Sequence, residues 1–257
     1  MQAMNTRDYT IGRGQLFFNK FLTGTTTPTG ERYLGNSPAL TVTSTYADLP
    51  HYTSDFLVRE MDDNFTLQTD RGGTFSVDNA SIENLGLMFG SDPVAETVAA
   101  AAAETETLTD VKLGYWYPLG VTTTTPDGAG AITNVTVEIG VTSVTEAGNF
   151  TVDLDTGRIY LLPDAAGITD GDDLIVTYDV VAGESLLVIE EGEQVEGSLR
   201  FISDNPKGSN KNYFWPYVRI QPTGDFAVKG EQWQVISFNF AVLTPKDGRK
   251  RVYVRAV

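Results

Sequence analysis

The sequence predicts an all-β fold of antiparallel sheets, a sandwich or barrel, with one flanking α-helix, and three observations carry that prediction. Short runs of alternating apolar and polar residues recur from end to end. Clusters of Gly, Pro, Asn and Asp separate them at close intervals, and one stretch alone spaces its apolar residues with a clear helical period. A chain of 257 residues can bury about 70 to 75% of the surface its unfolded form exposes. It holds no cysteine, which excludes disulfides and thiolate metal ligands.

In chain order, alternation predicts strands over 15–21, 39–45, 56–70, 73–77, 107–118, 132–141, 149–153, 158–162, 173–181, 186–188, 195–203, 212–221 and 231–243. The strand 56–70 is the most unusual. Glu60, Asp62, Asn64, Thr66, Gln68 and Asp70 occupy every second position, and Met61, Phe65 and Leu67 fall between them. Successive strand side chains point to opposite sides, so the pattern describes a half-buried strand with an apolar inner face and a strongly polar outer one. The "RGG" at 71–73 then reads as a turn. Both faces of 231–243 carry apolar residues, which leaves its outward face open.

The helical stretch is "ASIENLGLMFG". Asp78 or Asn79 could cap its start, Ile82, Leu85, Leu87, Met88 and Phe89 fall near helical spacing, and Gly90 stops it. The following "VAETVAAAAAETET" reads as a loop or short helix, since alanine favours helix but a short uncapped run is marginal in water. Residues 122–183 read as a β-rich insertion into a core domain formed by 1–121 and 184–257. Within it, Asp155-Thr156-Gly157 forms a hairpin turn with Gly at a position needing positive φ.

Charge and chemistry narrow the function. There are 34 acidic and 18 basic residues, a net charge of −16, which argues against tight wrapping of nucleic acid because phosphate binding needs clustered Lys and Arg. No apolar run suits a signal peptide or a membrane span, so neither export nor membrane insertion is expected. His51 is the one histidine and has no nucleophile-elbow motif near it. The pairs Asp62-Asp63, Asp172-Asp173 and Glu190-Glu191 point to opposite strand faces, and "DLDTG" and "TDGDD" lack calcium-loop spacing and read as turns. No enzyme activity, metal or cofactor is expected. The basic "PKDGRKRVYVR" near the C-terminus is either a charge-guarded edge strand or a docking strip for an acidic surface, including another copy of this chain.

Four segments, "RGQLFFNKF", "TGERYLGNSPALTVT", "LPHYTSDFLVREMDDNFTLQTDRGGTFSVDN" and "GEQWQVISFNFAVL", together resemble the major tail tube proteins of long-tailed bacteriophages. The resemblance spans 13–89 and 192–243. It implies a two-sheet β fold with a flanking helix, six-membered rings stacked into a hollow tube, and one sheet per subunit joined into a continuous inner barrel. A long loop reaching the adjacent ring and a channel for DNA ejection are implied too. The implied partners are further copies of the chain, a tape-measure protein, DNA passing through the lumen, and tail terminator and distal tail proteins. The implied location is the virion tail, assembled in the host cytoplasm, with no membrane partner.

On that resemblance, Glu60, Asp62, Asn64, Thr66, Gln68 and Asp70 are expected to face the lumen, where like charge prevents adhesion of DNA, and Met61, Phe65 and Leu67 to face the subunit core. The loop 23–29, Tyr46, His51, Tyr52 and Phe56, and Lys250 and Arg251 in the basic strip, are the candidate subunit contacts. Two rival classes remain: a carbohydrate-binding β-sandwich using Trp116, Trp215 and Trp233, and an acid-pair hydrolase.

Overall fold

The computed structural model describes residues 9–55, 57–90, 94–187 and 194–257. The chain divides into two compact units, one of Met1–Pro93 with Val188–Val257 and one of Val94–Leu187. Its elements begin with β1 (Gly14–Lys20), β2 (Arg32–Tyr33), β3 (Ala39–Tyr52), β4 (Met61–Val77) and α1 (Ile82–Phe89). The second unit supplies β5 (Val94–Val98), β6 (Ala101–Leu108), β7 (Trp116–Pro118), β8 (Ile132–Ile139), β9 (Thr142–Val144), β10 (Phe150–Asp153), β11 (Arg158–Leu161), β12 (Leu174–Val180) and β13 (Gly183–Leu187). The chain closes with β14 (Val195–Ser203), β15 (Lys211–Pro222), β16 (Ile236–Val242) and β17 (Tyr253–Ala256). Among the described residues the fold is therefore mostly β, antiparallel, with one helix.

The first unit is built on a sheet ordered β2-β1-β14-β15-β16-β4-β3, with β17 alongside β15. Alternation along the strands sends Leu16, Phe18, Leu199, Ile236, Phe238, Phe240, Phe75 and Val77 to one face, where all are buried. Phe75 stacks on Phe238 with centroids 5.1 Å apart, and Trp215 meets Phe240 edge-on at 5.6 Å. The other face at the β16–β4–β3 end is polar: the register pairs Ser237 with Ser76, Asn239 with Thr74, and Thr41 with Thr74. This answers the ambiguity of 231–243, since Ile236, Phe238 and Phe240 turn inward and Ser237 and Asn239 outward. The strand itself begins only at Ile236.

The "RGG" segment is not a turn. Gly72 and Gly73 lie inside β4, between β3 and β16, where a Cβ on Gly73 would overlap the Thr41 carbonyl oxygen and one on Gly72 the Phe240 carbonyl oxygen. Glycine is needed here for close backbone approach rather than for chain reversal.

Helix α1 packs against β15 and β16. Its N-cap is Ser81, whose Oγ accepts the Asn84 N–H at 3.4 Å, rather than Asp78 or Asn79; the Asp78 carboxylate instead accepts from Asn36 Nδ2. Gly90 ends the helix in the left-handed conformation, φ 71°. Fully buried Asn84 ties the helix to the sheet. Its amide nitrogen donates to the carbonyls of Leu34 (2.8 Å) and Asn79 (2.7 Å), and its oxygen accepts from Arg32 Nη2 (2.9 Å). Asn84→Ala leaves these groups without a partner, and a loss of about 2–3 kcal/mol is expected in urea denaturation. Asn84→Asp, which cannot donate to the two carbonyls, should lose as much.

The second unit places β6-β12-β8-β9 in one sheet, β10-β11-β7 in another, and pairs β5 with β13. Its own core gathers Leu119, Ile132, Val137, Ile159, Leu161, Leu174 and Val176. It extends beyond the expected insertion at both ends because the alanine-rich run is neither loop nor helix. That run forms β5 and β6, and β6 pairs with the buried strand β12. Pairing partners outweigh the helical preference of alanine. The expected strand 107–118 is interrupted between β6 and β7, where Asp110 (φ 51°) and Gly114 (φ 82°) turn the backbone. The turn before β11 does place Gly157 at positive φ, 61°.

On β6, the Glu106 carboxylate accepts the Gly120 N–H at 3.1 Å. Burial pushes its pKa up, opposed by that hydrogen bond, and burial with Glu106 and Glu104 nearby pushes the Tyr178 hydroxyl up to about 12. A raised carboxyl pKa in the folded state favours folding at low pH, and the advantage is lost as pH rises through the folded value. Glu106→Gln keeps an acceptor for Gly120 without the charge. The variant is expected to melt above the wild type at pH 8, with the gap closing as pH falls from the raised folded value toward the ordinary carboxyl range.

Candidate assembly surface

The β3–β4 hairpin outgrows its sheet. β4 pairs with β16 only over residues 72–77, whereas its pairing with β3 continues from Ser44↔Arg71 to Tyr52↔Met61. At about 3.3 Å per residue this leaves a two-stranded arm about 30 Å long. Its strand residues are almost all exposed. Among them are Tyr46 (61%), Leu49 (58%), Phe65 (67%) and Leu67 (62%). The apolar residues expected to face the subunit core, Met61, Phe65 and Leu67, therefore lie in the open.

They are exposed because the arm extends past the core, and two bulges explain why a simple alternation also misjudges which of them share a face. Ala47 pairs with Gln68 but Asp48 with Thr66, leaving Leu67 unmatched; His51 pairs with Asp63 but Tyr52 with Met61, leaving Asp62 unmatched. Directly paired residues share a face, so each bulge inverts the parity of β4. Gln68 and Asp70 lie on the face of Thr45 and Ala47, together with Phe65 opposite Leu49. Thr66 and Asn64 lie on the other face, opposite Asp48 and Pro50. The six polar residues thus do not form one row, and Glu60 precedes the strand. Both faces of the arm are consequently mixed, each carrying acids or amides beside large apolar groups.

Local polar contacts order the arm. Thr66 Oγ1 donates to Asp48 at 2.7 Å and Gln68 Nε2 to Asp70 at 2.7 Å. His51 Nδ1 lies 2.5 Å from an Asp62 oxygen, a hydrogen bond that lowers the Asp62 pKa. Arg59 sits over the Tyr52 ring, 5.6 Å from its centroid. At the root of the arm, Leu40, Val42, Ser44 and Arg71 line a trough of about 790 Å³ with Tyr213 and Trp215.

Residues 9–250 match the model of a family described as Protein of unknown function UCP028589. The chain belongs to that family. No curated protein matches it.

In this UCP028589 protein, the other expected contact residues are spread out. Tyr46, His51 and Tyr52 are exposed on the arm; Phe56 lies outside the described residues. Lys250 and Arg251 precede β17, where the Lys250 N–H donates to the Tyr253 hydroxyl and Arg251 Nε to Thr244 Oγ1. Trp215 is buried, so the three tryptophans cannot act together as sugar platforms. Trp116 is half-exposed beside Tyr160, with Arg158 over its ring, and Trp233 is 92% exposed. Among the described residues, no group of three or more His, Asp or Glu side chains is placed to hold a metal ion. The bulges, and with them the exposed apolar arm, were missed by sequence reasoning. The available signal was the length of the two β-favouring stretches on either side of the tip, 39–52 and 61–77.

Proposed function

We propose that this protein is a self-assembling structural subunit, the major tail tube protein of a long-tailed bacteriophage, whose hexameric rings stack around a channel for DNA. The arm carries the reading. A two-stranded ribbon is marginal alone in water, and one that exposes Leu49, Phe65 and Leu67 gains stability when a neighbouring copy covers it. The resemblance of four ordered segments to tail tube proteins supplies the identity of the assembly.

The polar outer face of the large sheet supports the channel. Thr41, Thr43, Gln68, Asp70, Thr74, Ser76, Ser237 and Asn239 share that side at the β16–β4–β3 end; β3, β4 and β16 place no Lys or Arg among them, and the cation next across the ladder is Arg219 of β15, opposite Ala241. A wall of hydroxyls, amides and carboxylates offers phosphate no cation to pair with, so DNA passes without salt-dependent trapping. Gln68 and Asp70 from the original row belong to this wall. Glu60, Asp62, Asn64 and Thr66 add acid and amide groups along the arm. The tape-measure protein would fill the lumen before DNA, and terminator and distal tail proteins would close the ends. No chemical step is assigned to the chain. The carbohydrate-binding alternative retains Trp116 beside Tyr160 as a half-exposed aromatic pair.

Introduced charge tests the channel. Assembled particles of the Thr41→Lys, Thr43→Lys, Asn239→Lys variant, changed on the wall and not on the arm, are expected to retain duplex DNA at low salt and release it as salt rises, while wild-type particles retain none. Identical behaviour of the two would remove the channel assignment.

A further inference from the structure

A second surface of the first unit has the character that the arm lacks. Register alone aligns Tyr33, Phe17, Arg200, Phe214 and Tyr253 into one row across β2, β1, β14, β15 and β17. The row lies on the sheet face opposite the core, because Phe17 and Arg200 alternate with buried Leu16, Phe18 and Leu199. Tyr33 and Phe17 are 5.5 Å apart between centroids, the Arg200 guanidinium is 4.4 Å from the Phe214 centroid, and Phe214 and Tyr253 are 6.4 Å apart.

Such cross-strand contacts stabilise the sheet, yet Tyr33 and Tyr253 stay 45% and 43% exposed. Beside the row, Asn212, Arg249 and Arg255 complete a cleft of about 290 Å³. Two of its cations already have partners: Arg200 Nε donates to Glu31 at 2.8 Å and Arg249 Nε to Asp247 at 2.7 Å. Arg255 and the adjoining Lys250 and Arg251 extend the positive charge along the same C-terminal segment. In a chain of net charge −16, this is a basic, aromatic patch on an acidic molecule.

We propose that this row receives the β3–β4 arm of a second copy. The inference rests on the self-assembly reading and names the surface that meets the arm. Charge selects the occupant: the arm and its tip carry Asp48, Asp55, Glu60, Asp62, Asp63 and Asp70 against Arg59 and Arg71. One arm face sets Leu49 and Phe65 beside His51 and Asp63, apolar groups for the aromatic row and a carboxylate for Arg255. Arm and row belong to different strands of the sheet, so the contact joins unlike surfaces. Repeated head to tail, it closes into a ring or runs on as a filament.

The absence of native cysteine makes the test direct. Ala47→Cys on the arm and Ile202→Cys beside Arg200 are introduced together into the full chain and treated with a short bismaleimide. A ladder of covalent oligomers is expected from the double variant, and nothing beyond dimers from either single one. Arg255→Glu is expected to raise the concentration needed for assembly about tenfold or more, and Asp63→Arg to recover much of that loss. Melting temperatures confirm that each variant is folded. Particles in electron micrographs without a ladder, and unmoved by Arg255→Glu, would overturn this docking surface while leaving self-assembly intact. A wild-type protein that forms no particles would instead remove the self-assembly reading, and this inference with it.

Discussion

Gly73→Ala is expected to destabilise the first unit by about 3 kcal/mol, near the top of the range for overpacking substitutions, with the loss read as a lower urea midpoint. The added carbon would overlap the Thr41 carbonyl oxygen and press on the Phe240 ring. A side chain could move away, but the carbonyl belongs to β3, and shifting it disturbs the β3–β4 ladder on which the arm is mounted. Phe240 is equally constrained, since it packs between Phe75 and Trp215. Strain at Gly73 therefore reaches the core and the arm together. Gly24→Ala is a useful control: no atom lies within 4 Å of the added carbon, and its left-handed φ of 71° is the sole source of strain. A Gly73→Ala midpoint within about 0.5 kcal/mol of wild type would mean that β3, β4 and β16 are spaced more loosely than described.

The opposite outcome is expected on the arm. Leu49→Ser, Phe65→Ser and Leu67→Ser combined should leave the melting transition nearly unchanged, within about 0.5 kcal/mol per site, because these side chains are exposed in the isolated chain. Assembly should be abolished. Buried aromatic and aliphatic anchors dominate interfaces, and these three include the whole apolar centre of the face that sets Leu49 opposite Phe65. Sedimentation at matched concentrations reads both quantities: wild type as large particles, the triple variant as a folded monomer. A triple variant that still forms particles would move the contact elsewhere on the molecule.

These two variants separate what stabilises the chain from what it offers to others. They also mark where sequence reasoning succeeded. The strand predicted at 195–203 coincides with β14, and 158–162 nearly so with β11, because both alternate cleanly and end at polar turns. The helix was legible from its apolar spacing and Gly90, although its cap is one of several polar residues in a row, and hydrogen-bond geometry alone selects Ser81. The alanine-rich run failed for another reason. Alanine favours helix, but a short uncapped run is marginal alone, and the register of β6 with β12, from Leu174↔Leu108 to Val180↔Ala101, decides its conformation.

The candidate surface was half legible. The composition of 60–70 announced a polar strand, but bulges at Leu67 and Asp62 change which residues share a face, and a bulge depends on the partner strand as much as on its own residues. The aromatic row was illegible for a similar reason. Tyr33, Phe17, Arg200, Phe214 and Tyr253 are scattered through the sequence and become neighbours only through four separate strand registers. "RGG" was misread because a glycine pair signals chain reversal and close strand approach equally well.

Negative-stain electron micrographs of the purified, concentrated wild-type protein test self-assembly most directly. Six-membered rings, alone or stacked into tubes with a central channel, are the predicted result. A uniform field of single particles the size of one chain, persisting at every concentration and salt tried, would contradict it.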